Sequence, residues 1–459
     1  MVDATSSPSV ELRTDATGDG KDPDHERPLA RAQQRRWLAS DDARFWLGIG
    51  AAVSVGAVVR FAYLFTGAPT LPGGDGFDYY LSAIRLADGL GYTVALGDVG
   101  AETAHHPPGW VTVLAAVTEL GGRSMRAHQL TGLVIGLAVI PVAGLVARRY
   151  VSRRIGVLVA FVAAVYPGFW VLDVQVLSEP LGLLVLGLLL LVLADLWQRP
   201  TLVRAVLAGT ILGALALIRS EQLALLALAI APILLLNRRI ALRRRLASLG
   251  VAALAAALVI TPWTIYNLGR FEEPVLLSTN LGGTLLSGNC PPSTYAGELI
   301  GSFDIRCNVA ASAQRPDRDP SQADIENRDA AIDNMRDNID RLPATLAARY
   351  GRLLGVFRPA QTVGIDANWL NSATWPVWAW ITSFWVVALL AAYGSAILRR
   401  SRRFQWPLVA PVVIVVIVVS GAFGDPRYHT MADLGLVVLA AVAIDRLARR
   451  IAARREQFA

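Results

Sequence analysis

Apolar residues in this chain fall in long blocks, neither alternating as in strands nor spaced three and four apart. Ten blocks run Phe45 to Phe65, Leu130 to Ala147, Ile155 to Leu172, Leu181 to Trp197, Leu202 to Ile218, Leu223 to Leu236, Leu246 to Tyr266, Trp375 to Leu398, Phe404 to Phe423 and Met431 to Ile444. Nearly uncharged blocks of about 14 to 24 residues predict helices that cross a bilayer, because a helix satisfies its backbone polar groups internally where water is absent. The pattern therefore predicts an all-α polytopic integral membrane protein with about ten transmembrane helices and a mixed extracytoplasmic loop region.

One further apolar segment, Trp110 to Leu120, decides the topology. At about 11 residues it is roughly half the ~20 that a spanning helix needs, so it reads as a helix on the membrane surface. Arginines in short loops hold the cytoplasmic side, and they agree with this assignment. Arg148, Arg149, Arg153 and Arg154, then Arg199 and Arg204, Arg238 to Arg245, Arg399 to Arg403 and Arg446 to Arg455 all fall on the side of the N-terminal tail. The short loops opposite, Asp173 to Pro180, Arg219 to Gln222 and Gly424 to Thr430, hold only Arg219 and Arg427. The expected organisation is a disordered cytoplasmic tail (1–43) and an N-terminal transmembrane module (44–266) that includes a first outer loop (67–129). A large extracytoplasmic loop (267–374), C-terminal transmembrane helices (375–447) and a basic cytoplasmic tail (448–459) follow.

Composition sharpens this picture. The chain of 459 residues is 54% apolar and only 17% charged, which excludes an ordinary soluble protein. The net charge of +7 rests on arginines between spans, with Lys21 the only lysine, so it signals topology and not nucleic-acid binding. The excess of Ala, Gly, Arg and Pro over lysine points to a GC-rich bacterial genome, hence to a plasma-membrane location. Residues 1–40 are too polar to fold alone, and their lack of an early apolar region reads as a cytoplasmic tail before an uncleaved span.

With this topology, ionisable side chains gather on the outer face, where charges beside a bilayer read as functional. Asp75 follows Gly73-Gly74 directly after the first span. A carboxylate there suits a general base on an acceptor hydroxyl, and it equally suits the start of the helix that continues through Asp78, Tyr79 and Leu86. Asp78 and Arg85 are spaced to pair on one face of that helix. His105 and His106 could meet a phosphate, or a divalent metal with Glu102 or Glu179, although no metal-binding spacing is present. Arg219 with Glu221, and Arg427 with Tyr428 and His429, offer cations to an anionic lipid head group; an Arg219–Glu221 pair or snorkelling is the plainer alternative. Arg60 reads as a snorkelling residue. Tyr63, Trp170, Trp263, Tyr266, Trp375, Trp378 and Trp380 read as an aromatic belt at the interface.

Cys290 and Cys307, the only cysteines, share the long outer loop. In an oxidising compartment they are expected to form a disulfide, and closing a loop of about 15 residues is worth ~3 kcal/mol in the chain-entropy model. In the same loop, apolar positions from Ile332 to Leu353 at spacings of three and four predict an amphipathic helical hairpin, with Pro343 opening its second helix.

Taken in order, Gly74-Asp75 through Tyr79, Arg85-Leu86-Ala87, Gly89-Leu90-Gly91-Tyr92, Pro107-Pro108-Gly109-Trp110, Ser178-Glu179-Pro180-Leu181, Arg219-Ser220-Glu221, Thr261-Pro262-Trp263 with Asn267, and Arg427-Tyr428-His429 resemble the GT-C membrane glycosyltransferases. The resemblance is to the branch of the protein O-mannosyltransferases and the lipid A aminoarabinose transferase, and it covers nearly the whole chain. It implies a GT-C fold and an inverting transfer of a sugar from a polyprenyl-phosphate donor to an extracytoplasmic lipid, glycan or protein acceptor. It also implies Asp75 as base, Glu179 as supporting acid, and Arg219 and Arg427 on the lipid-phosphate leaving group. Tyr79, Arg85, His105, His106 and Tyr428 complete the expected donor site. Where the family commonly has Asp-Glu, this chain has Asp75-Gly76, which leaves metal dependence open. The competing reading is a transporter or flippase of a lipid-linked saccharide, which would place charges near the membrane midplane and break its helices.

Overall fold

The computed structural model describes residues 41–94, 99–314 and 318–458; the expected tail up to residue 40 lies outside the described residues. Helix α1 (Asp41–Thr66) opens with Asp41 and Asp42 in its first turn, where carboxylates complement the helix dipole. The segment between α1 and the next long helix contributes α2 (Gly74–Ala87) and α3 (Pro108–Glu119). Next come α4 (Met125–Tyr150), the bent pair α5 (Arg153–Val165) and α6 (Pro167–Asp173), α7 (Glu179–Gln198) and α8 (Leu202–Ala216). The side chains of Ser124, Ser152 and Thr201 accept the otherwise free backbone N–H groups of Ala127, Ile155 and Arg204 in the first turns of α4, α5 and α8. Pro167 ends α5 and starts α6 at a bend of 51°.

The next apolar block is not a regular helix. A 3₁₀ turn (Ser220–Ala224) leads into a π turn (Leu226–Ile230) and then α9 (Ala231–Leu235). Helix α10 (Leu242–Leu268) follows. The long loop then folds into α11 (Leu281–Gly288), α12 (Arg306–Gln314), α13 (Pro320–Asp337), α14 (Leu342–Leu353) and α15 (Pro359–Trp369). The chain ends with α16 (Thr374–Arg400), α17 (Trp406–Gly421), a 3₁₀ turn (Pro426–His429) and α18 (Thr430–Phe458).

Each of the ten apolar blocks falls on helix. Among the described residues five helices are long and apolar enough to cross a membrane, six if α5 and α6 form one bent span, and three further apolar helices are shorter. Trp110 to Leu120 does form a separate short helix, and its Trp110, Val111 and Leu114 are buried. Among the described residues there is no strand, only an isolated bridge between Thr93 and Glu102. Among its described residues the long loop combines helices with turns and irregular segments and has no strand. Where the hairpin is predicted two helices form, α13 and α14, with Pro343 in the first turn of the second, but α13 packs on α11 and not on α14.

A main core joins α4, α5, α7, α8, α17 and α18 through residues such as Val146, Leu186, Leu212 and Val438. Small residues let the helices touch at backbone distance: a Cβ on Gly209 would lie 2.0 Å from the Ala252 carbonyl oxygen. The disulfide Cys290–Cys307 is formed. Buried Arg349 fastens the loop to the bundle, its Nη1 donating to Ser420 O at 2.5 Å and its Nη2 to Gly288 O at 3.0 Å. Both carbonyls end helices, α17 and α11, where a cation is favoured.

Three sequence expectations are corrected. Arg60 does not snorkel: its side chain is fully buried, and Nε donates to Asp173 Oδ2 at 2.7 Å while Nη1 donates to Ala164 O at 3.0 Å. A six-residue setback from the end of the span could not reveal an acid at the far end of α6. Arg85 does not pair with Asp78; its Nε donates to Thr93 Oγ1 at 2.7 Å. Several members of the expected aromatic belt are interior, since Tyr63, Trp170 and Trp380 are buried and Tyr63 packs edge-on to Trp170 and Trp375.

Candidate active site

The site begins with two glycines. Gly74 has φ +50°, and a Cβ there would lie 2.3 Å from the Trp369 indole nitrogen; one on Gly76 would lie 2.1 Å from the Gln175 carbonyl oxygen. Only glycine allows α2 to start this close to both neighbours, and the start places Asp75 in the first turn, after the N-cap Gly73. Asp75 therefore does not cap the helix. Its Oδ2 accepts from Arg427 Nη2 at 2.7 Å.

Arg427 is presented by the 3₁₀ turn after α17. Asp425 opens that turn, its Oδ1 accepting from Arg427 N at 2.7 Å. Glu179, buried at the first turn of α7, lies between the two guanidiniums: its Oε1 is 2.9 Å from Arg219 Nη1 and 3.3 Å from Arg427 Nε. Arg219 also donates from Nε to Glu221 Oε1 at 2.7 Å. Asp75, Arg427, Glu179, Arg219 and Glu221 thus form one chain of alternating charge. Arg427 Nη1, although buried, has no hydrogen-bond acceptor in the protein.

Electrostatics follow from this chain. Burial alone would raise the pKa of Asp75, but the Arg427 guanidinium outweighs it and holds the carboxyl well below the usual range. His106 is stacked on Tyr79 with ring centroids 4.3 Å apart. Burial, with His105 beside it, pushes His106 down to about 3. It is therefore neutral at physiological pH, and its 3.5 Å approach to Asp78 is not an ion pair. Burial also raises the Tyr79 and Tyr428 phenols and the carboxyls of Asp425 and Asp366. Carboxylates around Arg219 and Arg427 outweigh burial and keep both cations charged.

These groups, apart from Asp78 and Asp366, line a cavity of about 390 Å³. Of the residues proposed from sequence, Asp75, Tyr79, His105, His106, Glu179, Arg219, Arg427 and Tyr428 all line it. Arg85 does not: ten residues at ~1.5 Å each separate it from Asp75 along α2. The cavity also has parts the sequence did not signal. Ile414, Val415 and Val418 give it an apolar side on α17, and Ser278, Asn280, Ser287, Asn308 and Trp369 come from the long loop. These loop residues are neutral and follow no helical period, so no sequence pattern marked them. The disulfide is not in the wall, but Cys307 immediately precedes Asn308. Among the described residues no three His, Cys, Asp or Glu side chains are grouped to hold a metal; Asp75, Glu179 and Glu221 turn to guanidiniums instead.

Comparison with solved structures gives the fold. The oligosaccharyltransferase of Archaeoglobus fulgidus in its apo form matches with TM-score 0.55 at 13% identity, over 92% of this chain and 52% of that one. The same enzyme tethered to an acceptor peptide containing the NVT sequon matches with TM-score 0.51 at 13% identity, over 92% and 51%. Archaeal oligosaccharyltransferase AglB from Archaeoglobus fulgidus in complex with an inhibitory peptide and a dolichol-phosphate matches with TM-score 0.51 at 15% identity, over 91% and 52%. The chain thus spans about half the length of these proteins, and its fold is the GT-C fold of membrane glycosyltransferases. Residues 105–266 in addition match the family model of dolichyl-phosphate-mannose-protein mannosyltransferases. No curated protein sequence matches the chain. At the level of fold class, the resemblance drawn from the sequence holds.

Proposed function

We propose that the chain is a membrane glycosyltransferase that moves a sugar, with inversion, from a polyprenyl-phosphate donor to an acceptor on the extracytoplasmic side of a bacterial plasma membrane. Both termini are then cytoplasmic. The observation that carries the reading is the composition of one cavity: Arg219 and Arg427, interleaved with the carboxyl groups of Asp75, Glu179, Glu221 and Asp425, on one part of its lining, and an apolar helix face on another. Such a cavity suits a ligand that is half phosphate and half hydrocarbon. The fold and the matched family segment support the same class of chemistry.

In this reading the acceptor oxygen attacks the anomeric carbon, and its proton passes to Asp75. The carbon–oxygen bond to phosphate breaks, and the electron pair leaves on the phosphate oxygen. Arg219 and Arg427 stabilise that departing charge as preorganised donors. Arg427 Nη1, buried with no acceptor in the protein, supplies a ready donor for a phosphate oxygen. The Asp75–Arg427 bond makes Asp75 a weak base as it stands. A phosphate on Arg427 competes for that guanidinium and restores basicity to Asp75 when the donor is in place. Glu179, between the arginines, keeps both in position.

A transport reading expects broken helices, and the bend between α5 and α6 is of that kind. The charged pair packed along this bent segment, Arg60 on α1 and Asp173 at the far end of α6, is sealed at 0% and 1% exposure and lines no part of the cavity. Transfer is therefore favoured. The direct test compares sugar transfer from a panel of radiolabelled polyprenyl-phosphate sugars by the wild type and by folded Asp75→Asn. Transfer by the first and its loss in the second are expected; donor binding without transfer by either would favour transport.

A further inference from the structure

Trp369 ends α15 and is fixed to the segment that carries Asp75. Gly73 N donates to Leu370 O at 3.4 Å, and Asn371 Nδ2 donates to Leu71 O at 2.9 Å. The indole itself lies against Gly74, the residue before Asp75. Phe303 braces the indole edge-on at 5.4 Å between centroids, and Phe303 in turn packs on Phe423 at 5.0 Å. Trp369 nevertheless stays partly open and lines the cavity. A rigid, partly open indole next to a candidate base offers a flat apolar surface with a negative π face, which suits the C–H-rich face of a sugar ring.

The neighbouring lining from α11 and α12 has the complementary chemistry. It contributes no charged side chain, only groups such as Asn280, Ser287 and Asn308. Asn308 Nδ2 donates to Ser287 Oγ at 2.7 Å and to Gly283 O at 2.9 Å, while its buried Oδ1 has no partner in the protein. An amide oxygen with spare acceptor capacity, beside hydroxyls that both donate and accept, matches a ligand rich in hydroxyl groups. The Cys290–Cys307 bond clips this wall together next to Asn308.

We infer that the acceptor is a carbohydrate, held with one ring face on Trp369 and its hydroxyls on Asn280, Ser287 and Asn308, so that one hydroxyl reaches Asp75. The inference rests on the glycosyltransferase reading and adds the acceptor's class to it. A Ser or Thr hydroxyl on a peptide presents no flat apolar face to the indole, and an anionic head group finds no cation in this wall.

The test uses the full chain in lipid nanodiscs with a radiolabelled polyprenyl-phosphate sugar and two sets of acceptors, neutral octyl glycosides and a Ser/Thr-containing octapeptide, alongside native membranes. Transfer to glycosides, with label in the membrane product that survives alkaline β-elimination and maps to a sugar hydroxyl, is expected. Trp369→Ala should raise the KM for glycoside at least tenfold and leave the KM for donor unchanged, with Trp369→Phe close to wild type. If Trp369→Ala does not fold, Asn308→Ala carries the test with the same split between acceptor and donor. Transfer to the peptide alone, alkali-labile label, or an unchanged glycoside KM in both folded variants would overturn the carbohydrate assignment while leaving the glycosyltransferase reading intact. Recovery of the donor unconsumed with every acceptor would overturn both.

Discussion

Arg60 and Asp173 offer a test of the fold in which the structure sets the magnitude. The two side chains are 0% and 1% exposed and bonded at 2.7 Å. Asp173 is also tightly enclosed: a Cβ on Gly136 would lie 2.1 Å from its Oδ2, so little space remains for water to replace the guanidinium. Arg60→Met removes the cation but leaves the acid buried, and breaking a buried pair in this way costs about 3–5 kcal/mol, because the remaining charge has no compensation. Replacing both partners removes the charge problem as well as the attraction, so Arg60→Met/Asp173→Leu should recover most of that loss. The assay is unfolding in mixed detergent micelles across the wild type, both single variants and the double. A coupling of at least about 2 kcal/mol is expected on the scale of contacting pairs. A loss under about 1 kcal/mol for Arg60→Met, or a double variant as unstable as the sum of the singles, would refute the buried-pair account, since those values belong to exposed ion pairs.

Three further predictions concern the site. Arg427→Gln removes the cation that holds Asp75 low, leaving burial to raise it; the acid limb of the pH–rate profile should therefore move to higher pH, and kcat should fall by roughly 10²–10³, the usual cost of losing one such donor. A fall in kcat with no movement of the acid limb would separate Arg427 from Asp75. Gly76→Ala would set a Cβ 2.1 Å from a backbone oxygen that cannot swing away, so it should abolish transfer in a protein that still binds the lipid donor, as measured in parallel. Cys290→Ser/Cys307→Ser should lower stability by ~3 kcal/mol in chemical denaturation and raise the KM for acceptor more than that for donor, because the clip lies beside Asn308.

Much of this arrangement was legible in the sequence, for identifiable reasons. Apolar blocks mark helices because a bilayer allows few other solutions, and the arginines in short loops gave a sidedness that put Asp75, Glu179, Arg219 and Arg427 on one face. The cavity then brings those four together. What could not be read were contacts that depend on tertiary approach. Arg60 finds Asp173 more than a hundred residues away. Arg85 shares a helix face with Asp78 but lies seven residues on, about 10 Å along the axis at ~1.5 Å per residue, and turns instead to Thr93, whose Oγ1 is brought within 2.7 Å by the turn after α2. The lining residues Ser278, Asn280, Ser287 and Asn308 carry neither charge nor helical period, and Trp369 reaches the site only because Gly73 and Gly74 lack side chains. Glycine pairs are easily read as turns; here they make room for an indole beside a carboxylate.

The central claim is that Asp75 takes the proton from an acceptor as a sugar leaves a lipid phosphate. It is tested most directly by single-turnover transfer of a radiolabelled sugar from polyprenyl phosphate, with wild type and Asp75→Asn both shown to be folded and donor-bound. The account predicts transfer by the wild type and a loss of at least about 10²-fold in Asp75→Asn, the scale of a missing general base. Transfer by Asp75→Asn within a few-fold of the wild type would contradict it.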